Sequence, residues 1–518
     1  MNGGAFQRGR ALAACLAAAA VSGCLSTAND SIPRDAQTPY VSADAPAPPG
    51  SRAASYELSP DERLPIDLPK PEIDPRHDYQ LSELIDIAEA SNPVTSAAWE
   101  RARQAAAAVG VAKSAYLPLI AANALAGYQR VGAIDPGFST SVSGPVPVSV
   151  SVSSSDVITT TSSEIAPMAT LNWLLLDFGG RDAALASARD FLTAADVAFN
   201  GAHQKLIYEV AVAFYQLSAA RAQLAIAHET EGNARFLLEA ATARRGRGIG
   251  TEIEVAQARQ LLAQGRLGLA QSEGFSRDAY HSLLAAMGVA PTIEARVQDV
   301  SERPLPRLLA ANFDRLIEAA LRRRPDVQAA FARLSADRHN VERAQSDFLP
   351  RVALTGSAAQ MFGSVTIHDQ MLNATTTAPV NAPNANIMLA LTAPIYDGGL
   401  RDAQLQAADA QAAAAAHELT QIENAGARQI VVAYDTLRTS LSAYAAASEL
   451  TRAATITAKA ARESYSQGLT TLTDATTAET GLLQARLARA KAHSDALSAA
   501  ATLAFATGTL GARDTLGK

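Results

Sequence analysis

The chain has 518 residues, a formal net charge of −7, and a composition that is 48% hydrophobic but only 5% aromatic. Alanine carries much of the apolar load, which is too little bulk for a globular core and suits long helices packed closely along their length. The only basic run is Arg322-Arg323-Arg324, read as solvating or capping a helix end, so nothing argues for a nucleic-acid partner.

Arg8 and Arg10 precede an apolar stretch from Ala11 to Val21, which leads into Ser22-Gly23-Cys24. The stretch is too short for a mature transmembrane helix, so residues 1–23 read as a signal peptide. Small residues just before a cysteine resemble a bacterial lipobox, whose thiol is acylated and becomes the first mature residue. Cys15 would leave with the signal, and the lone remaining thiol at Cys24 suits an anchor better than a disulfide. The alternative is a plain signal peptide with an incidental cysteine. Leu25, standing where an aspartate would favour inner-membrane retention, points to the outer membrane. Residues 24–78 are rich in Pro, Ser, Ala and Asp and read as an extended lipid-anchored tether. No run of 18 apolar residues follows, so no membrane-crossing helix is expected, and any membrane-spanning part must be a closed β-barrel.

From residue 79 the chain repeats itself. Pro93 and Pro118 recur as Pro325 and Pro350, at an offset of 232. Asp177-Phe178-Gly179-Gly180-Arg181-Asp182 then matches Asp397-Gly398-Gly399-Leu400-Arg401-Asp402 at an offset of 220, which also relates Phe214 to Tyr434, Gly248 to Gly468 and Arg266 to Arg486. Such self-similarity marks an architecture of repeated units, here 79–300 and 301–512.

Each unit predicts the same order of elements. A helix from about Pro93 to Tyr116 stops before Pro118, because the residue preceding proline is pushed out of the helical region. A strand runs from Leu119 to about Arg130, a polar Ser/Thr/Gly/Pro loop from Val131 to Ser163, and a second strand from Ile165 to Leu176. The second unit has strands near Arg351–Phe362 and Asn386–Tyr396, and strands of about ten residues suit a tilted membrane barrel. The turns Asp177, Gly179, Gly180 and Asp397, Gly398, Gly399 open very long helices. Arg181–Arg245 alone would extend roughly 100 Å. Its seam (Leu185, Leu192, Phe199, Leu206, then a four-residue step to Val210, Leu217 and Leu224) has coiled-coil spacing with a stutter. Two helix-turn-helix tips follow, around Gly248-Ile249-Gly250-Thr251 and Gly468-Leu469-Thr470-Thr471. Their glycines supply positive φ, and Thr251 and Thr471 are expected to cap the returning helices, with Glu254 and Asp474 three residues on.

This order of helix, strand, strand, long helix and helix, with its Asp-x-Gly-Gly turns and paired tips, resembles the TolC-like outer membrane factor family, in its NodT-like lipoprotein branch, over roughly residues 79–510. The resemblance implies an α+β membrane protein assembled as a homotrimer: a 12-stranded outer-membrane β-barrel, four strands per chain, continued by a long α-helical coiled-coil periplasmic tunnel. The bottom-up reading agrees that four strands cannot close alone. The resemblance further implies an exit duct of a tripartite efflux pump that passes small molecules, with a periplasmic adaptor and an inner-membrane transporter, of RND type, as partners beside outer-membrane lipid. The tips (Gly248, Gly250, Thr251, Gly468, Leu469, Thr470 and Thr471) would meet the adaptor, and Leu472, Thr473, Asp474 and Thr477 would gate the aperture. The family commonly carries a second acidic residue where Thr477 stands here, and Asp474 reads equally as a helix cap.

No enzyme is expected. Gly246-x-Gly248-x-Gly250 follows a helix rather than a strand and lacks a Gly-Lys-Ser/Thr, so it is no phosphate loop. Asp177-Phe178-Gly179 lacks the other kinase motifs. The eight histidines show no metal-ligand spacing and read as helix-surface or loop residues, so neither metal nor cofactor is expected. Rival readings are the exit channel of a type I protein secretion system and a lipid-tethered periplasmic structural coiled coil; the latter leaves the four strands unexplained.

Overall fold

The computed structural model describes residues 60–66, 68–134, 138–142, 148–152, 157–306, 313–369 and 374–511. The expected anchor at Cys24 lies outside them. The chain divides into compact units Met1–Leu68 and Pro69–Lys518, and all the helices and strands below belong to the second. A short β1 (Asp78–Tyr79) leads into α1 (Leu81–Ser91) and α2 (Pro93–Ser114), then β2 (Leu119–Ile134), a hairpin of β3 (Phe138–Val142) and β4 (Val148–Val152), and β5 (Val157–Leu176). Two long antiparallel helices follow, α3 (Gly180–Gly246) and α4 (Glu252–Met287), then β6 (Arg296–Val297). The order then recurs: α5 (Phe313–Leu321), α6 (Pro325–Ser346), β7 (Arg351–Asp369), β8 (Ala374–Thr392), α7 (Leu400–Ser466) and α8 (Leu472–Ala506). The helices α3 and α7 are both 67 residues long, roughly 100 Å at 1.5 Å per residue.

The local causes are legible. Asn92 accepts a hydrogen bond from the Val94 amide and Pro93 occupies the first helical turn of α2, where a missing N–H costs nothing. α6 likewise starts at Pro325, but the residue before it does other work. Arg324, only 6% exposed, donates to the Ala506 carbonyl at 3.0 Å, to Gln429 Oε1 at 2.9 Å, and to Asp326. The last arginine of the basic run thus satisfies the C-terminal end of α8.

The strands depart from expectation. β2, β5, β7 and β8 have 16, 20, 19 and 19 residues rather than about ten. Much of the segment expected as loop, 131–163, is strand: β2 runs to Ile134, β5 begins at Val157, and β3 pairs β4 from Phe138↔Val152 to Val142↔Val148. Ser and Thr in alternation with Val form strands readily once every backbone group has a cross-strand partner. β8 spans Ala374–Thr392 rather than ending near Tyr396, because Pro394 cannot donate to the ladder. The four strands form one antiparallel sheet in the order β2-β5-β7-β8.

The main core lies where the short helices meet the long ones: Leu84 and Ile85 of α1, Val210, Phe214 and Leu217 of α3, and Leu283, Leu284 and Met287 of α4. An 18-residue window of α3 reaches a mean hydropathy of 1.2, enough by composition to cross a membrane, which the sequence reading did not expect. Its buried apolar side chains from Leu206 to Leu217 belong to this core instead. The seam is also corrected at its start. Leu206, Val210 and Leu217 are buried, but Leu185, Leu192 and Phe199 are only half-buried; the deepest positions there are Ala183, Ser187 and Ala194. Ala194 packs on Ala329 and Ala332 of α6, so close backbone approach through small residues replaces the leucine seam. His493, expected at a helix surface, is 6% exposed, with Nε2 at 2.8 Å from the Arg303 carbonyl. His368 lies in β7.

Candidate functional site: sheet faces, strand-to-helix turns and helical tips

Cross-strand register sorts the side chains of the sheet into two faces. One row holds Ile120, Leu171, Gly356 and Ile387, and the next Ala122, Ala169, Ala358 and Ala385; Trp173, Leu354 and Leu389 continue the same face below, and Ile165 and Phe362 above. Ile120, Ile387 and Leu389 are 70%, 73% and 67% exposed, so among the described residues nothing covers these side chains. Leu354 to Phe362 spans about 27 Å along β7 at 3.4 Å per residue, interrupted near its upper end by Gln360 and Asn381, which hydrogen-bond to each other; an apolar band of some 25 Å is what a bilayer demands. The opposite face reads Asn172, Thr355 and Met388 in one row, Thr170, Ser357 and Asn386 in the next, then Asn123, Met168, Ala359 and Asn384. Leu119 and Ala121 complete the first two rows, and these three rows are mostly amide and hydroxyl, with the Asn386 side chain accepting from Ser357 N and Oγ at 3.2 Å; beyond them Leu125 faces Ala166 and Met361 faces Ala382.

Where strands become long helices, both turns use one device. Asp177 accepts from the Arg181 amide at 2.7 Å and from its Nε at 3.2 Å. The Arg181 guanidinium also donates to the Leu174 and Leu175 carbonyls and lies 4.8 Å over the Tyr116 ring. In the second half Arg401 reaches Asp397 with Nε at 2.5 Å, donates to the Pro394 carbonyl, and lies 5.2 Å over Phe348. The Arg401 hydrogen bond holds Asp397 below the usual carboxylate range, aided by the amides of Arg401 and Gly399. Burial, then the Asp182 carboxylate to which it donates, pushes the Tyr116 hydroxyl up to about 12. Gly179, Gly398 and Gly399 all have positive φ (+101°, +71° and +88°), whereas Gly180 does not and is required by space: a Cβ there would sit 2.6 Å from Ser346 Oγ. The two arginines lay within the matched strings, and a guanidinium is what can bind carboxylate, carbonyls and ring at once.

At the tips Gly248 and Gly468 have φ of +74° and +80°. Thr251 accepts from the Glu254 amide and Glu254 returns the bond to the Thr251 amide at 3.0 Å. The same box joins Thr471 and Asp474, and Thr470 Oγ1 adds a third bond to Asp474 Oδ2 at 2.9 Å. Those threonine bonds lower the Asp474 carboxyl, with Thr471 the largest contributor. The tip residues expected to share one role do not share one environment. Leu469 is 75% exposed, as is Ile249 at 62%, but Leu472 is 2% exposed in a small core with Leu237, Ala241, Val255, Ala258, Tyr465 and Ala475. Leu472 therefore joins the two tips through their shared core. Thr473 and Thr477 are both exposed. The two tips are tied by residues that sequence alone did not single out: Arg244 lies 5.2 Å over the Tyr465 ring and donates to its carbonyl. Neither has a counterpart in the other repeat, so no periodic signal marked them. Asn233, four residues before Leu237, donates from Nδ2 to Glu479 at 3.0 Å, and Glu479 pairs with Arg462 Nε at 3.1 Å; burial raises its carboxyl, and Arg462 opposes that.

The chain matches the model of the outer membrane efflux protein family over residues 84–289 and 316–509. It is 27% identical to Protein CyaE of Bordetella pertussis over 379 residues, 73% of each chain. It is 28% identical to the pyoverdine export outer membrane protein OpmQ of Pseudomonas putida over 69% of each. Among solved structures it resembles the outer-membrane channel OprN (TM-score 0.66, 22% identity, 87% of this chain and 98% of that one) and VceC of Vibrio cholerae (0.63, 21%, 83% and 96%). The chain belongs to the outer membrane efflux protein family, whose members are TolC-like channels of the cell outer membrane and not enzymes.

Proposed function

We propose that three copies of this chain form the outer-membrane exit duct of a tripartite efflux pump, passing small molecules outward. The two-faced sheet carries the reading. Its outer strands β2 and β8 each pair on one side only among the described residues, and in lipid every ladder bond must be met, so the sheet must close. Three copies supply twelve strands, with the apolar face toward lipid and the amide-and-hydroxyl face toward the lumen. The helices continue the lumen through the periplasm as two halves of a duplicated unit, 79–300 and 301–512. Relatives named as export and efflux-pump outer membrane proteins support the role.

In this reading Cys24, released from signal peptide 1–23, anchors the tether 24–78 to outer-membrane lipid. Gly248, Gly250 and Thr251 in one tip, and Gly468, Leu469, Thr470 and Thr471 in the other, meet a periplasmic adaptor coupled to an inner-membrane transporter of RND type. Thr473, Asp474 and Thr477 face the aperture, and Leu472 supports them from behind. The test is native mass measurement in detergent together with single-channel recording. Three chains and a conducting pore are expected; a stable monomer that does not conduct overturns the reading.

A further inference from the structure

Just beyond the apolar band, on the same face of the sheet, the chemistry changes sharply. Tyr128 follows Ala126 on β2, and Arg130 follows Tyr128; their neighbours in register are Ser163 and Ser364, then Thr161, Thr366 and Thr377. Tyr128 is 70% exposed and Arg130 is also exposed. His368 stands on this face one row further on, its Nδ1 2.9 Å from Thr375 Oγ1. Among the described residues no carboxylate lies on this part of the face; Glu164, in register with Gly127 and Gly363, belongs to the opposite one. The bases Arg130 and His368 thus stand on one face and the acid Glu164 on the other, while hydroxyls occur on both.

We propose that Tyr128 and Arg130 form a contact site for the phosphate groups of the phosphorylated glycolipid in the outer leaflet. The inference rests on the duct reading, which sets the apolar face against lipid and the helices in the periplasm. The strand ends at Leu119, Leu176 and Arg351 adjoin helices α2, α3 and α6, so Arg130 lies toward the far end, at the outer leaflet. An aromatic ring at the edge of an apolar band with a cation beyond it is the arrangement of a membrane–water interface. A guanidinium presents a fork that matches phosphate oxygens, and among the described residues no acid on its face competes for Arg130. The surrounding serines and threonines supply hydroxyls to the sugar.

The experiment is native mass spectrometry of the detergent-solubilised protein with three probes: bisphosphorylated lipid A, the same lipid with its phosphates removed, and phosphatidylglycerol. The wild type should retain lipid A in preference to both others. Arg130→Gln should lower lipid A retention by about tenfold, the loss of one charge-assisted bond, and Arg130→Lys should restore part of it. Lipid A binding that survives Arg130→Gln, or equal binding of the dephosphorylated probe, overturns the site. Equal binding of phosphatidylglycerol overturns the assignment to glycolipid. The same spectra and a conductance record separate the two readings. A trimeric, conducting protein indifferent to Arg130 fails only here, whereas a non-conducting monomer fails at the duct.

Discussion

Phe178 has a φ of +54°, the one positive value at a non-glycine among the described residues. Its repeat counterpart is Gly398, at +71°, so one turn carries the left-handed backbone at a bulky residue and the other does not. That conformation costs an L-residue roughly 1–2 kcal/mol. Phe178→Gly should therefore raise the apparent unfolding temperature of the solubilised protein and Gly398→Phe should lower it; circular dichroism melts decide both. The tip glycines differ as well. A Cβ at Gly248 meets nothing within 4 Å, whereas one at Gly468 would meet Arg244 Nη1 at 2.7 Å. Both changes to valine incur the φ strain, of about 1–3 kcal/mol, but Gly468→Val should also displace Arg244 from Tyr465. Efflux complementation should fall further for Gly468→Val than for Gly248→Val, with the protein still in the membrane. Equal losses would mean that the Arg244–Tyr465 tie is idle.

The capping boxes act on whole helices. Removing the Thr471 hydroxyl should destabilise α8 by about 1 kcal/mol, and Leu472→Ala, which empties a site only 2% exposed, by about 2–5 kcal/mol. Hydrogen exchange at the tip amides would reveal both as faster local opening. The Asp474 carboxyl is held below its ordinary value in the fold, so its contribution is complete above the unfolded carboxylate pKa and is lost as pH falls through the lowered one. Tip exchange should accelerate in acid below the ordinary aspartate range, and Asp474→Asn, which keeps a capping oxygen, should flatten that dependence. The elements themselves could largely be read beforehand, because prolines and glycines mark their ends: Pro93, Pro325, Gly248 and Gly468 all stand within a residue or two of a boundary. What could not be read was polar strand. Ser149, Ser151, Thr160 and Thr161 lie in strands, yet they look like loop until their partners are known, because cross-strand pairing is not local in sequence. The inward role of Leu472 was hidden for the same reason, since its neighbours Leu237 and Val255 lie more than 200 residues away.

For the whole molecule, the proposed closure of three copies makes the free sheet edges its most sensitive feature. A proline on β2 or β8 at a position that donates outward across the edge should prevent oligomer formation and leave chain that aggregates, whereas a lumen-face change such as Asn386→Ala should leave assembly intact and alter only conductance. Native gels and bilayer recordings distinguish the two. The equal length of α3 and α7 has a further meaning. Each acts as a ruler for the other, since both begin at the sheet and both end at a tip. Deleting a heptad from one alone would set its tip about 10 Å short of its neighbour and leave a step instead of a level rim for the proposed adaptor. Deleting a heptad from both, and from their returning partners α4 and α8, would keep the rim level and shorten the reach across the periplasm. Length is then a dimension the two repeats hold in common, and a change in one must be matched in the other to keep the tips level.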